Sequence, residues 1–173
     1  PVAFFVRKMA DVPDERFRRG AAPLWIEEVQ AGDAQLSAAQ WSALHRGLSQ
    51  SFPAESPLLR SISEKWHALE ANEASARALA RSAAAQGDTT FAFQVLSERM
   101  KSESISPDLA NDYLLAFAQQ LRTRHSALVR RDWSQEMKAA HQARTLVSGN
   151  EKAVGLYQRI CELLGESPTS TLK

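Results

Sequence analysis

A nucleophile needs a base placed to activate it, and the one thiol of the chain, Cys161, has no histidine in its own segment. It stands in the apolar series Val154, Tyr157, Cys161 and Leu164, which predicts a packed, structural thiol. Four histidines, His45, His67, His125 and His141, are scattered singly. None forms HExxH and no two lie within one helical turn, so no metal-ligand set is expected. The adjacent Glu27 and Glu28, and the pair Glu70 and Glu73, adjoin no histidine or serine arrangement that defines a reaction. They read as solvated helix surface. The seven glycines are isolated at turns, without GxGxxG or GxxxxGKS/T, which argues against a nucleotide cofactor. No catalytic residue, cofactor or metal is therefore expected, and the chain does not read as an enzyme.

Two residue classes point to recognition instead. Arg122, Arg124, Arg130 and Arg131 crowd into LRTRHSALVRR, where Arg124 and Arg131 are seven apart and share a helical face; Arg16, Arg18 and Arg19 form a second cluster in ERFRRG. The four arginines of residues 122–131 are candidate phosphate contacts, and they make a nucleic-acid-binding helical domain the alternative function. Two features weigh against it. Aromatic residues are not interleaved with these charges, and 21 Lys+Arg against 20 Asp+Glu leave a net charge of only +1. Of the four tryptophans, Trp25, Trp41, Trp66 and Trp133, three stand in periodic apolar series and read as core anchors. Trp66 and Trp133 also lie where the apolar register drifts, which makes them the candidate partner contacts.

These side chains must be positioned by helices. The 173 residues are 44% hydrophobic with 7 Gly and 7 Pro, enough for one substantial globular domain or two small ones. Ser37-Ala38-Ala39-Gln40 fits a capping box, followed by Trp41, Leu44 and Leu48 on one helical face. Ser56-Pro57 and Ser106-Pro107 repeat a serine cap with proline at the first helical position. After Pro57 the stripe Leu58, Ile62, Trp66, Leu69 turns polar at Glu73 and Arg77, which predicts exposure near Asn72 or a break there into two helices. Gly87-Asp88 ends that element, and Phe91, Val95, Leu96 and Met100 are expected to face inward on the next. From Pro107 to Ser148 the apolar register runs Ala110, Leu114, Phe117, Leu121, Leu128, then resumes one residue out of step as Val129, Trp133, Met137, Ala140. A bend or change of packing partner between Leu128 and Trp133 is expected. A last helix spans Glu151–Leu164. The opening PVAFFV reads as a short strand or a packed extended segment.

Two segments resemble tetratricopeptide-type helical hairpins. In ASARALARSAAAQGDTTFAFQVLSERM, Leu79 and Ala80 stand at the Leu-Gly pair of that family, Gln86-Gly87-Asp88 at its turn, and Ala92 and Leu96 at its small and large second-helix positions. EKAVGLYQRICELL offers Ala153, Tyr157 and Ile160 at the second-helix spacing. Ser82-Ala83-Ala84 and Arg99 depart from the pattern. The resemblance implies a concave surface that recruits a peptide or protein.

The fold expected is all-α, an irregular helical bundle or stacked helical hairpins with a short extended N-terminal arm. Residues 1–36 are read as the arm with a short helix, 37–165 as the helical domain and 166–173 as a flexible tail. The function expected is a non-enzymatic scaffold or adaptor domain that binds another protein or a larger assembly. With one cysteine and no apolar run of about 18 residues, the chain reads as cytoplasmic, without a membrane span.

Overall fold

Backbone amides at a helix start need acceptors, and the side chains that supply them mark most of the element boundaries here. The computed structural model describes residues 36–123 and 132–168, together with positions 16 and 20. Among the described residues it contains seven helices and no strand: α1 (Ala38–Leu48), α2 (Pro57–Leu69), α3 (Glu73–Ala85), α4 (Thr89–Arg99), α5 (Pro107–Thr123), α6 (Ser134–Leu146) and α7 (Glu151–Leu164). The architecture is all-α and irregular. The chain divides into two compact units, Pro1–Gly87 and Asp88–Lys173, and the boundary falls inside the 37–165 stretch that the sequence suggests as one helical domain. Gly87 sits there at φ +84°, a left-handed conformation that glycine adopts without the Cβ penalty. Apart from positions 16, 20 and 36, the N-terminal arm lies outside the described residues.

In the first unit α2 packs against both α1 and α3. The capping box that opens α1 is complete: the Ser37 hydroxyl oxygen accepts from the Gln40 amide at 3.4 Å, and Gln40 Oε1 accepts from the Ser37 amide at 2.8 Å. Trp41, Leu44 and Leu48 are buried on one face as the spacing requires. Pro57 takes the first position of α2, but Ser56 makes no side-chain cap. The preset φ of proline starts the turn, and the Ser56 carbonyl receives Arg60 N–H at 3.2 Å. The polar drift near Asn72 is a break into two helices. Asn72 Oδ1 accepts from the Ser75 amide at 2.8 Å and opens α3.

The buried Ser75 hydroxyl pins this corner by donating to the Glu70 carbonyl at 2.6 Å. With its one proton committed there, its oxygen accepts from His67 Nδ1 at 2.9 Å, which assigns the proton of that imidazole to Nδ1. The core of the unit gathers Leu36, Trp41, Leu44, Leu48, Leu59, Ile62, Trp66 and Ala78, with Phe52 and Leu58 at its margin.

In the second unit α5 is central, packed by α4, α6 and α7. Its Phe117 ring is 5.1 Å from Phe93 of α4 and 5.6 Å from Trp133, with Tyr113 at 5.9 Å. This aromatic set corrects the inward face expected for α4. Ala92, Phe93, Leu96 and Met100 are buried, while Phe91 and Val95 are only half-buried. Phenylalanines at 91 and 93 offer two rival faces, and the rings of α5 select the second.

The long Pro107–Ser148 region is not one rod. Ser106 Oγ caps its start by accepting from the Leu109 amide at 3.1 Å, α5 ends at Thr123, and α6 begins at Ser134 and packs back on α5. Residues 124–131, which include most of the expected bend, lie outside the described residues. Asn150 Oδ1 caps α7 by accepting from the Ala153 amide at 3.3 Å, and Gly165 at φ +70° ends it. No described helix is long and apolar enough to cross a membrane.

Candidate functional site

Helices α1 and α3 lie on either side of a cleft of about 450 Å³ in the first unit, with α2 contributing its base. On α1 the lining positions Ser42, His45 and Arg46 recur at three- and four-residue spacing, with Ser49 just past the helix end. On α3 they are Ala74, Arg77, Ala78, Arg81 and Ser82, again one face. Leu59 and Trp66 rise from α2. The same periodicity that turns Trp41, Leu44 and Leu48 inward therefore leaves an arginine and a histidine of α1 opposite two arginines of α3.

The described lining carries three guanidinium groups and no carboxylate. Glu73, one turn before Arg77, approaches it at 3.8 Å from beside the cleft. Trp66 is only 6% exposed, and its indole N–H is buried with no hydrogen-bond partner among the described residues. Leaving such a donor unmet costs about 1–3 kcal/mol. The His45 ring lies 5.9 Å from the Trp66 ring. Burial, and then the positive charge of Arg81, hold the His45 imidazole below its ordinary pKa of 6.5. The wall is thus rich in cations and donors, an arrangement suited to holding an anion with several acceptor oxygens.

A depressed histidine has a consequence for stability. Below pH 6.5 the unfolded chain takes up a proton on residue 45 before the folded chain does, so stability falls as pH drops through that value. Urea unfolding at pH 8 and pH 5 is expected to show a larger loss for the native chain than for His45→Gln; equal losses would contradict a buried neutral imidazole.

The remaining sequence candidates are dispersed. Trp66 forms the base of the cleft. Trp133, 7% exposed, packs on Phe117 in the second unit. Of the basic stretch, Arg122 is exposed at the end of α5, while Arg124, Arg130 and Arg131 lie outside the described residues. Arg16 is exposed, and Arg18 and Arg19 lie outside the described residues. Cys161 is fully buried, and burial pushes its thiol pKa up, away from reactivity. His141 is engaged by Tyr157, whose hydroxyl is 2.6 Å from Nδ1. No group of three or more His, Cys, Asp or Glu that could hold a metal ion is found among the described residues.

A second cleft, about 550 Å³, lies among α4, α5 and α6. Its polar groups largely answer one another. Gln120, 1% exposed, accepts through Oε1 from the Thr90 hydroxyl at 3.2 Å, the Tyr113 hydroxyl donates to the Glu136 carbonyl at 2.9 Å, and Glu98 pairs with Lys101 at 2.6 Å. This wall mixes donors, acceptors and both charges, so it selects no class of ligand.

Arg46, Arg77 and Arg81 were not singled out as a site by the sequence. The available signal was the i,i+4 pair Arg77 and Arg81 interrupting an alanine-rich face, together with the drift of the Trp66 stripe into polar residues. Neither says that α1 will bring Arg46 across. Comparison with protein-family models, with curated proteins and with solved structures gave no match.

Proposed function

We propose that this chain is a non-enzymatic helical adaptor that binds another protein, and that the cleft of the first unit receives an acidic segment of that partner. One observation carries the reading: a cleft lined by Arg46, Arg77 and Arg81, with Trp66 among its walls, has no acidic residue in the described lining. An anionic segment complements the charge of this wall, and a hydrogen bond to a charged group contributes about 1.5–3 kcal/mol. A bounded cleft of about 450 Å³ suits a few side chains of a peptide. Trp66, mostly hidden, does not offer the stacking face that single-stranded nucleic acid uses. The lone buried Cys161 fits a reducing, cytoplasmic setting.

The test is fluorescence anisotropy with a labelled, aspartate- and glutamate-rich peptide, its asparagine and glutamine counterpart, and a mixed-sequence oligonucleotide. The acidic peptide is expected to bind best, and Arg77→Ala with Arg81→Ala to weaken it by about tenfold or more. Equal binding of the neutral peptide would overturn the reading. Preferential binding of the oligonucleotide would favour the alternative through Arg122, Arg124, Arg130 and Arg131.

A further inference from the structure

We propose that the cleft of the first unit senses pH: holding the acidic segment is coupled to uptake of a proton by His45, so the segment is held more tightly as the solution becomes mildly acidic; this rests on the acidic-segment reading above. His45 is placed for such a role. It lines the cleft beside Arg46 of the same helix, and its ring lies 5.9 Å from that of Trp66 on α2. From α3 the cleft receives Arg77 and Arg81, with Glu73 beside Arg77, while the described lining residues of α2 are uncharged. A space of about 450 Å³ keeps an occupant close to each of its walls. An anionic side chain seated there comes to lie near an imidazole, whose ordinary pKa puts its charge change between about pH 5 and 8.

In the empty cleft, burial and then the charge of Arg81 disfavour the imidazolium. Binding leaves the packing of the ring on Trp66 in place and adds a negative charge, which attracts the proton. The segment also covers the ring further, which opposes protonation. The ring is already packed, however, and an opposite charge within about 4–6 Å changes a protonation constant by about tenfold or more, so attraction is the larger effect. The occupied cleft thus takes up its proton at a higher pH than the empty one. At pH 8 the imidazole is neutral in both, and affinity is at its lower level. As pH falls the occupied cleft is protonated first and affinity rises; once the empty cleft is protonated too, affinity levels off. Aspartate and glutamate, with ordinary pKa values of about 3.9 and 4.3, keep most of their charge down to pH 5.5.

The closing experiment uses the full chain at constant ionic strength, with the labelled aspartate- and glutamate-rich peptide and its asparagine and glutamine counterpart. By anisotropy, the native chain is expected to bind the acidic peptide about fivefold or more tightly at pH 5.5 than at pH 8, and the neutral peptide should show no such gain. His45→Gln, polar but without a titrating proton, should bind the acidic peptide within about twofold of the native chain at pH 8 and lose most of the gain at pH 5.5. A second readout needs no variant. Calorimetry of the native chain in two buffers of different ionisation enthalpy should show a fraction of a proton taken up on binding near pH 6 and none at pH 8.

If the native chain and His45→Gln share one pH dependence, or if the native chain binds the acidic peptide without taking up a proton near pH 6, the pH coupling falls and the acidic-segment reading stands. If the acidic peptide binds at neither pH, both fall. If His45→Gln loses the peptide already at pH 8 while its circular dichroism matches that of the native chain, the neutral imidazole is what the segment needs, and the coupling is overturned.

Discussion

Replacing Phe117 with alanine is expected to destabilise the second unit by about 3–5 kcal/mol, the range for deleting a fully buried aromatic ring. Phe117 is completely buried in the middle of α5, and its ring meets Phe93 of α4, Tyr113 of its own helix and Trp133 ahead of α6. Phe93 is fixed on α4, Tyr113 on α5 itself and Trp133 at the start of α6, so the space closes only if more than one element shifts. Domains of this size are stable by only about 5–15 kcal/mol in total, so the loss removes a large part of what holds the unit together. Urea unfolding followed by tryptophan emission should show the midpoint fall. Amide exchange should accelerate across α4, α5 and α6. A loss below about 1 kcal/mol would mean that the aromatic set does not organise this unit.

The second large effect concerns Trp66, where two substitutions should part company. Trp66→Ala is expected to cost the first unit about 3–5 kcal/mol, since the indole packs into the core with Leu59, Ile62 and Ala78. Trp66→Phe keeps most of the apolar volume and removes an N–H that has no partner in the fold. The small void it leaves and the relief of the unmet donor oppose one another, so the net change is expected to stay below about 1.5 kcal/mol. Urea unfolding of both variants checks this: a loss above about 3 kcal/mol for Trp66→Phe would mean that the indole N–H is answered within the fold.

The physical range of each signal explains what was legible. The Ser37–Gln40 box, the Ser106 cap and the Asn72 break are hydrogen bonds or register changes within a few residues, and each was readable because both partners are neighbours in the chain. The α7 helix over Glu151–Leu164 matches its expected span for the same reason. Ser56 shows the limit even of local reading: a serine before proline looks like a cap, yet the side chain makes no such bond once proline has preset the turn. Gly87, at φ +84°, is where the chain divides into two units.

Fold class and most helix starts thus followed from residue order, because helical periodicity and capping act over one or two turns. Which face α4 buries, and which side chains share a cleft, did not. Phe91 and Phe93 are equivalent in hydrophobicity and differ only in whether Phe117 and Tyr113 stand opposite. Arg46 is 31 positions before Arg77 in the chain and 35 before Arg81. Only the packing of α1 and α3 against α2 brings them to one cleft. A periodic stripe specifies which way a side chain points from its own helix, and the approach of other helices decides what it then faces.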